Sequence, residues 1–162
     1  MATHRNSSQS LATATATASA PQQVHGWRLG STQARLYQVL QHVAGPLTAY
    51  ELLNALNADS ASDGSRKVYP QTVYRGLAQL QERGLVHRVE STNAYLACQS
   101  PTRPHRSIHL LCDRCGKAQE LIDRRVSRSL DADAARYQFN LERQVVELHG
   151  VCAHCAHAES HN

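Results

Sequence analysis

Two pairs of cysteines, each separated by two residues, are the feature of this sequence best suited to chemistry. Cys112 and Cys115 form the first pair in "HLLCDRCGK", and Cys152 and Cys155 form the second pair, with 36 residues between the two. Tetrahedral zinc takes four thiolates, and this spacing lets one tight turn present two sulfurs to one ion. Gly116, directly after the first pair, suits such a turn. We therefore predict a structural four-cysteine zinc site that joins the ends of a small domain.

Cysteine pairs with this spacing also occur in redox-active dithiols and in disulfide frameworks. A thioredoxin-like dithiol begins a helix, whereas the first pair here follows one predicted strand and precedes another. A disulfide framework is disfavoured because the number of cysteines is odd, at five, and because no apolar signal segment follows the N-terminus. Zinc binding is the favoured interpretation, and redox chemistry is the alternative.

The fifth cysteine, Cys98, lies among residues that can form a second metal site with it. His87 precedes Cys98, His105 follows it, and Glu120 lies further along the chain. Two imidazoles, one thiolate and one carboxylate make a tetrahedral zinc set whose two negative charges match a divalent ion. The alternative is structural, because a lone histidine is usually a surface residue and a lone cysteine that ends a strand usually belongs to the core.

Helical periodicity in the first half of the chain predicts elements that could position these side chains. "STQARLYQVLQHVAG" and "LTAYELLNALNA" each place apolar residues at i, i+3, i+4 and i+7, as an amphipathic helix requires. Ser31 or Thr32 can cap the first helix and Gly45 can end it. Thr48 and Glu51 form a capping box for the second helix. A polar loop, "DSASDGSRK", is predicted to follow.

A third helix and a β-hairpin are predicted next. In "YPQTVYRGLAQLQERG", Pro70 suits the first helical turn and Gly84 suits the helix end. "LVHRVESTNAYLAC" predicts two short strands joined by a turn at "ESTN". Three helices followed by a hairpin is the order of a winged helix-turn-helix, whose recognition helix enters the DNA major groove.

The third helix and the residues before it carry side chains suited to DNA. Four residues on its outward faces can reach phosphates or base edges: Gln71, Thr72, Tyr74 and Arg75. Arg75 can bond guanine in two places, and Lys67 and Arg66 in the preceding loop suit phosphates. The alternatives are a solvated helix face and a protein-interaction module, which winged helices also form.

The net charge of +4 is unevenly distributed along the chain. Residues 1–106 carry ten Lys and Arg against five Asp and Glu, a net charge of +5, whereas residues 107–162 carry seven against eight, a net charge of −1. Only the first part is therefore expected to meet a polyanion. The longest apolar stretches have about five residues, far fewer than the roughly 20 that a membrane helix needs, so we predict no membrane span.

The fold class predicted from these patterns is α+β, with two small domains. The segments are a disordered tail (1–25), a winged-helix DNA-binding domain (26–98), a hinge (99–106), an α/β domain (107–157) and a second tail (158–162). The first tail is low-complexity Ala, Thr and Ser, which cannot bury a core. The α/β domain contains strands in "SIHLLC", "AQELI" and "QVVELH", and a helix from Asp123 to Tyr137.

The positions of the mixed ligand set suggest what a metal would do there. Two ligands come from the predicted hairpin, one from the hinge and one from the second domain. A metal bound by all four would fix the angle between the domains, and with it the spacing of two recognition helices if the second domain dimerises. Such a metal need only prefer the closed arrangement over the open one.

Four stretches of the sequence resemble the ferric uptake regulator (Fur) family and, within it, the zinc uptake regulator (Zur) branch. They are "TAYELL", "PQTVYRGLAQLQERGLVHRVESTNAYLAC", "LLCDRCGKAQEL" and "VVELHGVCAHC". The resemblance implies a cytoplasmic, homodimeric repressor of zinc-uptake genes, which is not an enzyme. It would carry an N-terminal winged helix and a C-terminal dimerisation domain, and would bind AT-rich palindromic DNA when zinc is plentiful.

The same resemblance implies roles for individual residues. The four paired cysteines match a structural zinc site, and a second set matches a regulatory zinc site: His87, Cys98, His105 and Glu120. Each subunit would therefore bind two zinc ions. Tyr74 and Arg75 match the "VYR" of the recognition helix that contacts DNA.

"RSIHLLC" departs from the pattern of the wider family. Many iron-sensing and peroxide-sensing members have a stretch like "HHDHLIC", in which two histidines and an aspartate stand where this chain has Arg106, Ser107 and Ile108. The departure argues against iron sensing and puts in doubt a third metal site. His109 remains, and it can replace or supplement His105 as a ligand. An iron- or peroxide-sensing regulator of the same family is the alternative function.

Overall fold

The computed structural model describes residues 23–63, 66–101 and 105–159. Most of the predicted first tail, the middle of the predicted hinge and the last three residues of the chain lie outside these ranges. The described residues form an N-terminal unit of helices with a winged hairpin, and a C-terminal unit built on a three-stranded sheet. The predicted α+β class, with a winged helix followed by a small α/β unit, is confirmed.

Three helices form the core of the N-terminal unit. They are α1 (Ser31–Gln41), α2 (Ala49–Asp63) and α3 (Pro70–Glu82). Their inward faces bury a cluster of aliphatic side chains, among them Leu36, Leu40, Leu52, Leu56, Val73, Leu77 and Leu80. The predicted helical periodicity accounts for most of this core. Each fully buried leucine contributes about 1.5–3 kcal/mol to the stability of the folded state.

The ends of two helices differ from the sequence predictions. The N-cap of α1 is Gly30 rather than Ser31 or Thr32, and the Gln33 side chain accepts a hydrogen bond from the Gly30 amide at 2.9 Å. Helix α1 ends at Gln41, before Gly45. Helix α2 continues to Asp63, through part of the predicted loop, because no Gly or Pro interrupts it. Its predicted capping box is present, since the Thr48 amide donates to Glu51 Oε2 at 2.7 Å and the Glu51 amide donates to Thr48 Oγ1 at 3.2 Å.

The winged hairpin consists of β4 (Val86–Val89) and β5 (Ala94–Ala97), and a short third strand completes its sheet. That strand, β3 (Leu47–Thr48), pairs with the outer side of β5 in an antiparallel ladder of order β3-β5-β4. The periodicity of "LTAYELLNALNA" instead predicts Leu47 and Thr48 at the start of the second helix. Two further strands, β1 (Gln23–Val24) and β2 (Trp27–Arg28), form a small hairpin before α1, so regular structure begins inside the predicted tail.

The C-terminal unit is a mixed sheet with one crossover helix. Its elements are β6 (Ile108–Cys112), β7 (Ala118–Leu121), α4 (Arg124–Arg136), β8 (Val146–Gly150) and α5 (Ala153–Glu159). Strand β6 lies in the middle, antiparallel to β7 and parallel to β8. A parallel neighbour requires a crossover connection, which α4 supplies. The predicted helix ends are observed as caps, because the Asp123 side chain accepts from the Arg125 amide and Tyr137 is the C-cap.

The two units pack against each other through a small apolar cluster. Val89 and Leu96 of the wing contact Leu111 of β6, and Ala118 of β7 packs against them. By contrast, α4 has no buried residue, and its apolar side chains face outward. Among the described residues, no helix combines the length and the apolar character needed to cross a bilayer.

Candidate metal centres and nucleic-acid interface

The four paired cysteines converge at one end of the C-terminal sheet. All four sulfurs lie within 4.8 Å of one another. Cys112 Sγ is 3.9 Å from Cys155 Sγ, and Cys115 Sγ is 3.7 Å from Cys152 Sγ. Zinc–sulfur bonds of about 2.3 Å in a tetrahedron require sulfur–sulfur separations of about 3.8 Å, whereas a disulfide requires about 2.05 Å. The donor set therefore fits one tetrahedral zinc ion and does not fit disulfides.

Local backbone geometry explains why these sulfurs meet. Cys112 ends β6, and a tight turn closed by a hydrogen bond from the Gly116 amide to the Cys112 carbonyl at 2.9 Å presents Cys115. Gly116 has a φ of +68°, a conformation that glycine adopts without strain. Cys152 follows β8, the parallel neighbour of β6, and Cys155 lies in the first turn of α5. Strand pairing thus brings together two cysteine pairs that are distant in the chain.

The electrostatics of the cluster favour a cation among the sulfurs. Backbone amides of Cys115, Cys152 and Arg114 lower the pKa of the Cys112 thiol to about 6. The neighbouring Cys115 side chain and burial raise the pKa of Cys155 to about 12. One thiolate therefore forms readily while further ones are opposed by its charge. A divalent ion removes that opposition, as it does in structural zinc sites.

His149 lies beside the cysteine cluster rather than within it. Its Nδ1 is 3.1 Å from Asp113 Oδ1, which links β8 to the turn that carries the first cysteine pair. The contact supports a structural role for this histidine.

The mixed set predicted from the sequence also comes together. The donor atoms of His87, Cys98, His105 and Glu120 all lie within 4.8 Å of one another. Glu120 Oε1 is at the centre, 2.6 Å from His105 Nε2 and 3.0 Å from His87 Nε2. Cys98 Sγ lies 3.5 Å from His105 Nε2 and 3.9 Å from Glu120 Oε1.

Backbone amides orient two of these donors. The Gln99 amide donates to Glu120 Oε2 at 2.7 Å, which leaves Oε1 facing the two imidazoles. The Ser100 amide donates to Cys98 Sγ at 3.4 Å. Such second contacts fix ligand orientation in metal sites and are typically as important as the ligands themselves.

The protonation of the mixed set is shaped by burial and hydrogen bonding. Burial raises the pKa of Cys98 to about 11, so its thiol holds a proton at neutral pH. Burial also raises the pKa of Glu120, but hydrogen bonds from His87, Gln99 and His105 outweigh it and lower the value to about 2. Buried N, S and O donors with one fixed negative charge fit a divalent ion that accepts both imidazole and thiolate.

His109, the alternative ligand, lies next to this set but is not part of it. It is 5% exposed, its ring centroid is 5.4 Å from that of His87, and neither ring nitrogen has a hydrogen-bond partner among the described residues. Burial, with the neighbouring His87, lowers its pKa. The donor distances therefore favour His105 over His109 as the ligand.

The predicted DNA-contacting residues share an exposed surface of α3. Val73, Leu77 and Leu80 point into the core, and Gly76 is buried with them. Gln71, Thr72, Tyr74 and Arg75 are all exposed, as is Lys67 before the helix. Tyr69, the N-cap of α3, is another exposed aromatic, and it is not among the residues predicted to contact DNA. Exposed aromatic and basic side chains at the first turns of a recognition helix suit phosphate and base contacts.

Two contacts between the units were missed by sequence reasoning. Gly45, before β3, approaches Gly116 so closely that a Cβ on Gly45 would lie 2.2 Å from the Gly116 carbonyl oxygen, and the Ala118 amide donates to the Ala44 carbonyl at 3.0 Å. The Glu147 carboxylate of β8 binds the turn of the wing. No local sequence pattern marks either contact, because each joins segments distant in the chain.

A winged helix with an exposed recognition surface, joined to an α/β unit and carrying two four-donor clusters, defines a class of metal-binding winged-helix proteins. The chain belongs to the ferric uptake regulator family, whose sequence profile matches residues 24–156. It is 36% identical over 134 residues to the zinc uptake regulation protein of Escherichia coli K12, a match that covers 82% of this chain and 75% of the relative. The zinc uptake regulation protein of Shigella flexneri matches to the same extent.

Solved structures give the same grouping. The fold matches a zinc uptake regulator complexed with zinc and DNA, with a TM-score of 0.74 and 35% identity over 82% of this chain and 86% of that one. It also matches the crystal structure of holo XcZur, with a TM-score of 0.72 and 39% identity over 82% of this chain and 89% of that one. The ferric uptake regulation protein of Legionella pneumophila is 30% identical over 84 residues, covering only 52% of this chain.

Proposed function

We propose that this protein is a zinc-responsive transcriptional repressor of zinc-uptake genes, with zinc as corepressor. The observation that carries the proposal is the mixed set, because its donors come from the wing, from the segment between the units and from β7. Zinc held by that set would tie the DNA-binding unit to the C-terminal unit. The likeness to zinc uptake regulators, one of them complexed with zinc and DNA, supports this assignment.

The two donor clusters divide into a structural and a regulatory role. We assign structural zinc to Cys112, Cys115, Cys152 and Cys155, which lie wholly within the C-terminal unit. We assign regulatory zinc to His87, Cys98, His105 and Glu120, which join two units. This gives two ions per subunit. Both clusters offer four protein donors and leave no position for a substrate water, so we propose no enzymatic activity.

Zinc fits the regulatory set better than iron does. Thiolate is the softest of its donors, and Cys98 is held within 3.9 Å of both other donor types. An iron- or peroxide-sensing regulator would rely on nitrogen and oxygen donors. Arg106 and Ile108 replace a histidine and an aspartate that many such regulators have. Arg106 forms an ion pair with Asp131, and Ile108 is buried.

The protein is proposed to act in the cytoplasm as a homodimer on AT-rich palindromic DNA. The exposed apolar side chains of the C-terminal unit, which include Val126, Leu130, Leu148 and Val151, supply a surface that a second copy would cover. A two-fold dimer would present two α3 helices to two half-sites. Lys67 and Arg75 would contact the backbone or bases, and affinity should fall as salt rises.

The direct test is DNA binding under buffered zinc. Purified protein is incubated with fragments of genomic DNA at free zinc levels set by a chelator, and bound fragments are identified by gel shift and sequencing. We expect a small set of fragments to be retained only when zinc is present, upstream of genes for zinc uptake. Retention with iron(II) but not with zinc would support the iron-sensing alternative, and retention independent of any metal would contradict the proposal.

A further inference from the structure

A carboxylate of the C-terminal sheet binds the turn of the wing. Glu147 of β8 accepts a hydrogen bond from the Glu90 amide on Oε1, at 2.6 Å, and one from the Ser91 amide on Oε2, at 3.1 Å. Its side chain is only 9% exposed. Burial raises the pKa of Glu147, but hydrogen bonds from Ser91 and Glu90 outweigh it, so the pKa lies below its ordinary value and the group is charged at neutral pH.

This contact lies on the same face of the sheet as the regulatory set. Glu120 of β7 and Glu147 of β8 are both direct cross-strand partners of His109 on the central strand. Adjacent strands are about 4.8 Å apart, so the backbones of the two residues are about 10 Å apart along one row. Glu120 faces the open end of the wing hairpin, near His87 and Gln99, and Glu147 faces its turn.

Two attachment points constrain the wing more than one does. The four donors of the regulatory set lie at the open end of the hairpin, and Val89 and Leu96 pack on the sheet through apolar contacts. Apolar contacts are not directional, so they leave the turn some freedom to move. The hydrogen bonds at the turn remove this freedom, because they hold the opposite end on β8. Arg143, just before β8, adds an ion pair with Glu90 Oε1 at 2.5 Å, although its exposure to solvent weakens that contact.

We propose that Glu147 is a positioning residue for zinc-dependent DNA binding: it holds the turn of the wing on β8, so that zinc at the regulatory set imposes one orientation of the recognition helix. The proposal rests on the proposed function. Among the described residues, the Glu147 carboxylate contacts Glu90, Ser91 and His149, none of which is a predicted metal donor or a residue of α3, so its effect on DNA is transmitted through the wing. Rotation of the N-terminal unit would misplace two helices at once in a dimer.

The test uses the full-length protein with Glu147→Gln, and Glu142→Gln as a matched control on an exposed carboxylate of the same unit. Glutamine keeps the shape of the side chain but replaces one acceptor by a donor that faces an amide. We expect amide hydrogen exchange at Glu90 and Ser91 to accelerate about tenfold, because a charged acceptor is lost. The zinc content should equal that of the wild type, and affinity for a DNA fragment retained by the wild type should fall about tenfold at saturating zinc. The control should match the wild type in all three measurements.

A second variant removes the same contact from the other side. Ser91 is the second residue of a turn in which the Asn93 amide donates to the Glu90 carbonyl, a position that proline favours. Ser91→Pro therefore keeps the turn and deletes both the amide and the hydroxyl through which Ser91 binds Glu147. We expect a loss of DNA affinity in the same direction as for Glu147→Gln. If both variants lose DNA affinity, the loss is attributed to the contact between Glu147 and Ser91 rather than to misfolding of one variant.

The outcomes distinguish this inference from the function on which it rests. Unchanged exchange at Glu90 and Ser91 in Glu147→Gln would overturn the contact, and faster exchange with wild-type DNA affinity would overturn its positioning role. Failure of the wild type to bind any DNA in response to zinc would overturn the proposed function first. Loss of zinc from Glu147→Gln would also contradict the inference, because it would place Glu147 in the metal site.

Discussion

Two donors of the regulatory set, Cys98 and Glu120, have opposite protonation states at neutral pH. The Glu120 carboxylate is ionised and held by the Gln99 amide, so it is ready to bind a metal. The Cys98 thiol is buried and keeps its proton. A metal at this set must therefore displace the thiol proton, which makes occupancy depend on both zinc and pH.

Removing a donor of the regulatory set should abolish sensing without unfolding the protein. We expect Cys98→Ser and His87→Ala each to lose one zinc ion per subunit and to weaken zinc-dependent DNA binding at least about tenfold, because the link between the units is lost. Native mass spectrometry and fluorescence anisotropy measure the two effects. His42→Ala, at an exposed histidine of the N-terminal unit, is the control. If either donor variant bound DNA with the zinc dependence of the wild type, the assignment of the site would be wrong.

The apparent zinc affinity of the regulatory set should increase with pH. Because the pKa of Cys98 is raised to about 11, its thiol is protonated throughout the neutral range, and zinc binding releases that proton. Affinity should rise about tenfold per pH unit for this group alone. Competition with a chelator of known pH dependence between about pH 7 and pH 8 measures the slope. An affinity that does not change across this range would show that zinc binding releases no thiol proton.

The structural cluster should behave differently from the regulatory one. Cys112→Ser removes a donor that ends β6, and we expect the C-terminal unit to unfold or the dimer to dissociate. The stability loss should exceed the roughly 1 kcal/mol of an ordinary substitution, because structural zinc contributes directly to folding. Thermal melting and gel filtration measure it, and Cys98→Ser is the control. An unchanged melting temperature and dimer would contradict the structural role.

At the scale of the elements, the segment between α1 and β3 also contacts the C-terminal unit. Gly45 lies against Gly116 in the turn that carries Cys115, and the Ala44 carbonyl accepts from the Ala118 amide. This contact links the structural zinc turn to the N-terminal unit. The wing is therefore not the only element through which the two units are joined.

A single methyl group should disturb this junction. In Gly45→Ala the new Cβ would lie 2.2 Å from the Gly116 carbonyl oxygen, and backbone on both sides would have to move. Overpacking of this kind costs about 1–3 kcal/mol, so we expect a lower melting temperature and DNA affinity reduced about tenfold with both zinc ions retained. Gly150→Ala is the control, because its Cβ meets nothing within 4 Å. Equal DNA affinity in the two variants would show that the junction does not affect DNA binding.

At the scale of the whole molecule, the C-terminal unit has an apolar surface that the other described residues, 23–63, 66–101 and 105–159, do not cover. Leu148 on β8 is 50% exposed, and Val126 and Leu130 on α4 are also exposed. These side chains follow the helical and strand periodicity of a buried face. The helices of the N-terminal unit bury their apolar faces against one another. The exposed apolar face of the C-terminal unit is therefore expected to pack against a second copy of the protein.

A charge in this surface should prevent dimerisation. We expect Leu148→Asp to be a monomer and to bind DNA at least about a hundredfold more weakly, because a monomer has one recognition helix and can contact only one half-site of a palindrome. Trp27→Asp, at an apolar residue of similar exposure in the N-terminal unit, should remain a dimer. Sedimentation equilibrium compares the two. A dimeric Leu148→Asp would place the interface elsewhere.

Much of the local structure follows from the sequence, with instructive exceptions. The capping box of Thr48 and Glu51 depends on residues at most a turn apart and occurs as predicted. The helix predicted from Asp123 to Tyr137 is observed as α4, with these two residues as its caps. Helix α2 extends beyond its predicted end. Once a helix has formed, it can continue through residues that are also common in loops. Strand β3 was missed because its two residues become a strand only by pairing with β5.

The sequence by itself determined which chemistry is present: four paired thiolates, a mixed set of two imidazoles, a thiol and a carboxylate, and a recognition helix with exposed polar residues. These depend on residue type and on spacing over a few positions. Only the tertiary structure decided which distant groups meet. Glu147 and Glu90 are 57 positions apart, and no periodicity relates them. Through-space contacts of this kind depend on how the two units pack, and that packing is a property of the whole chain.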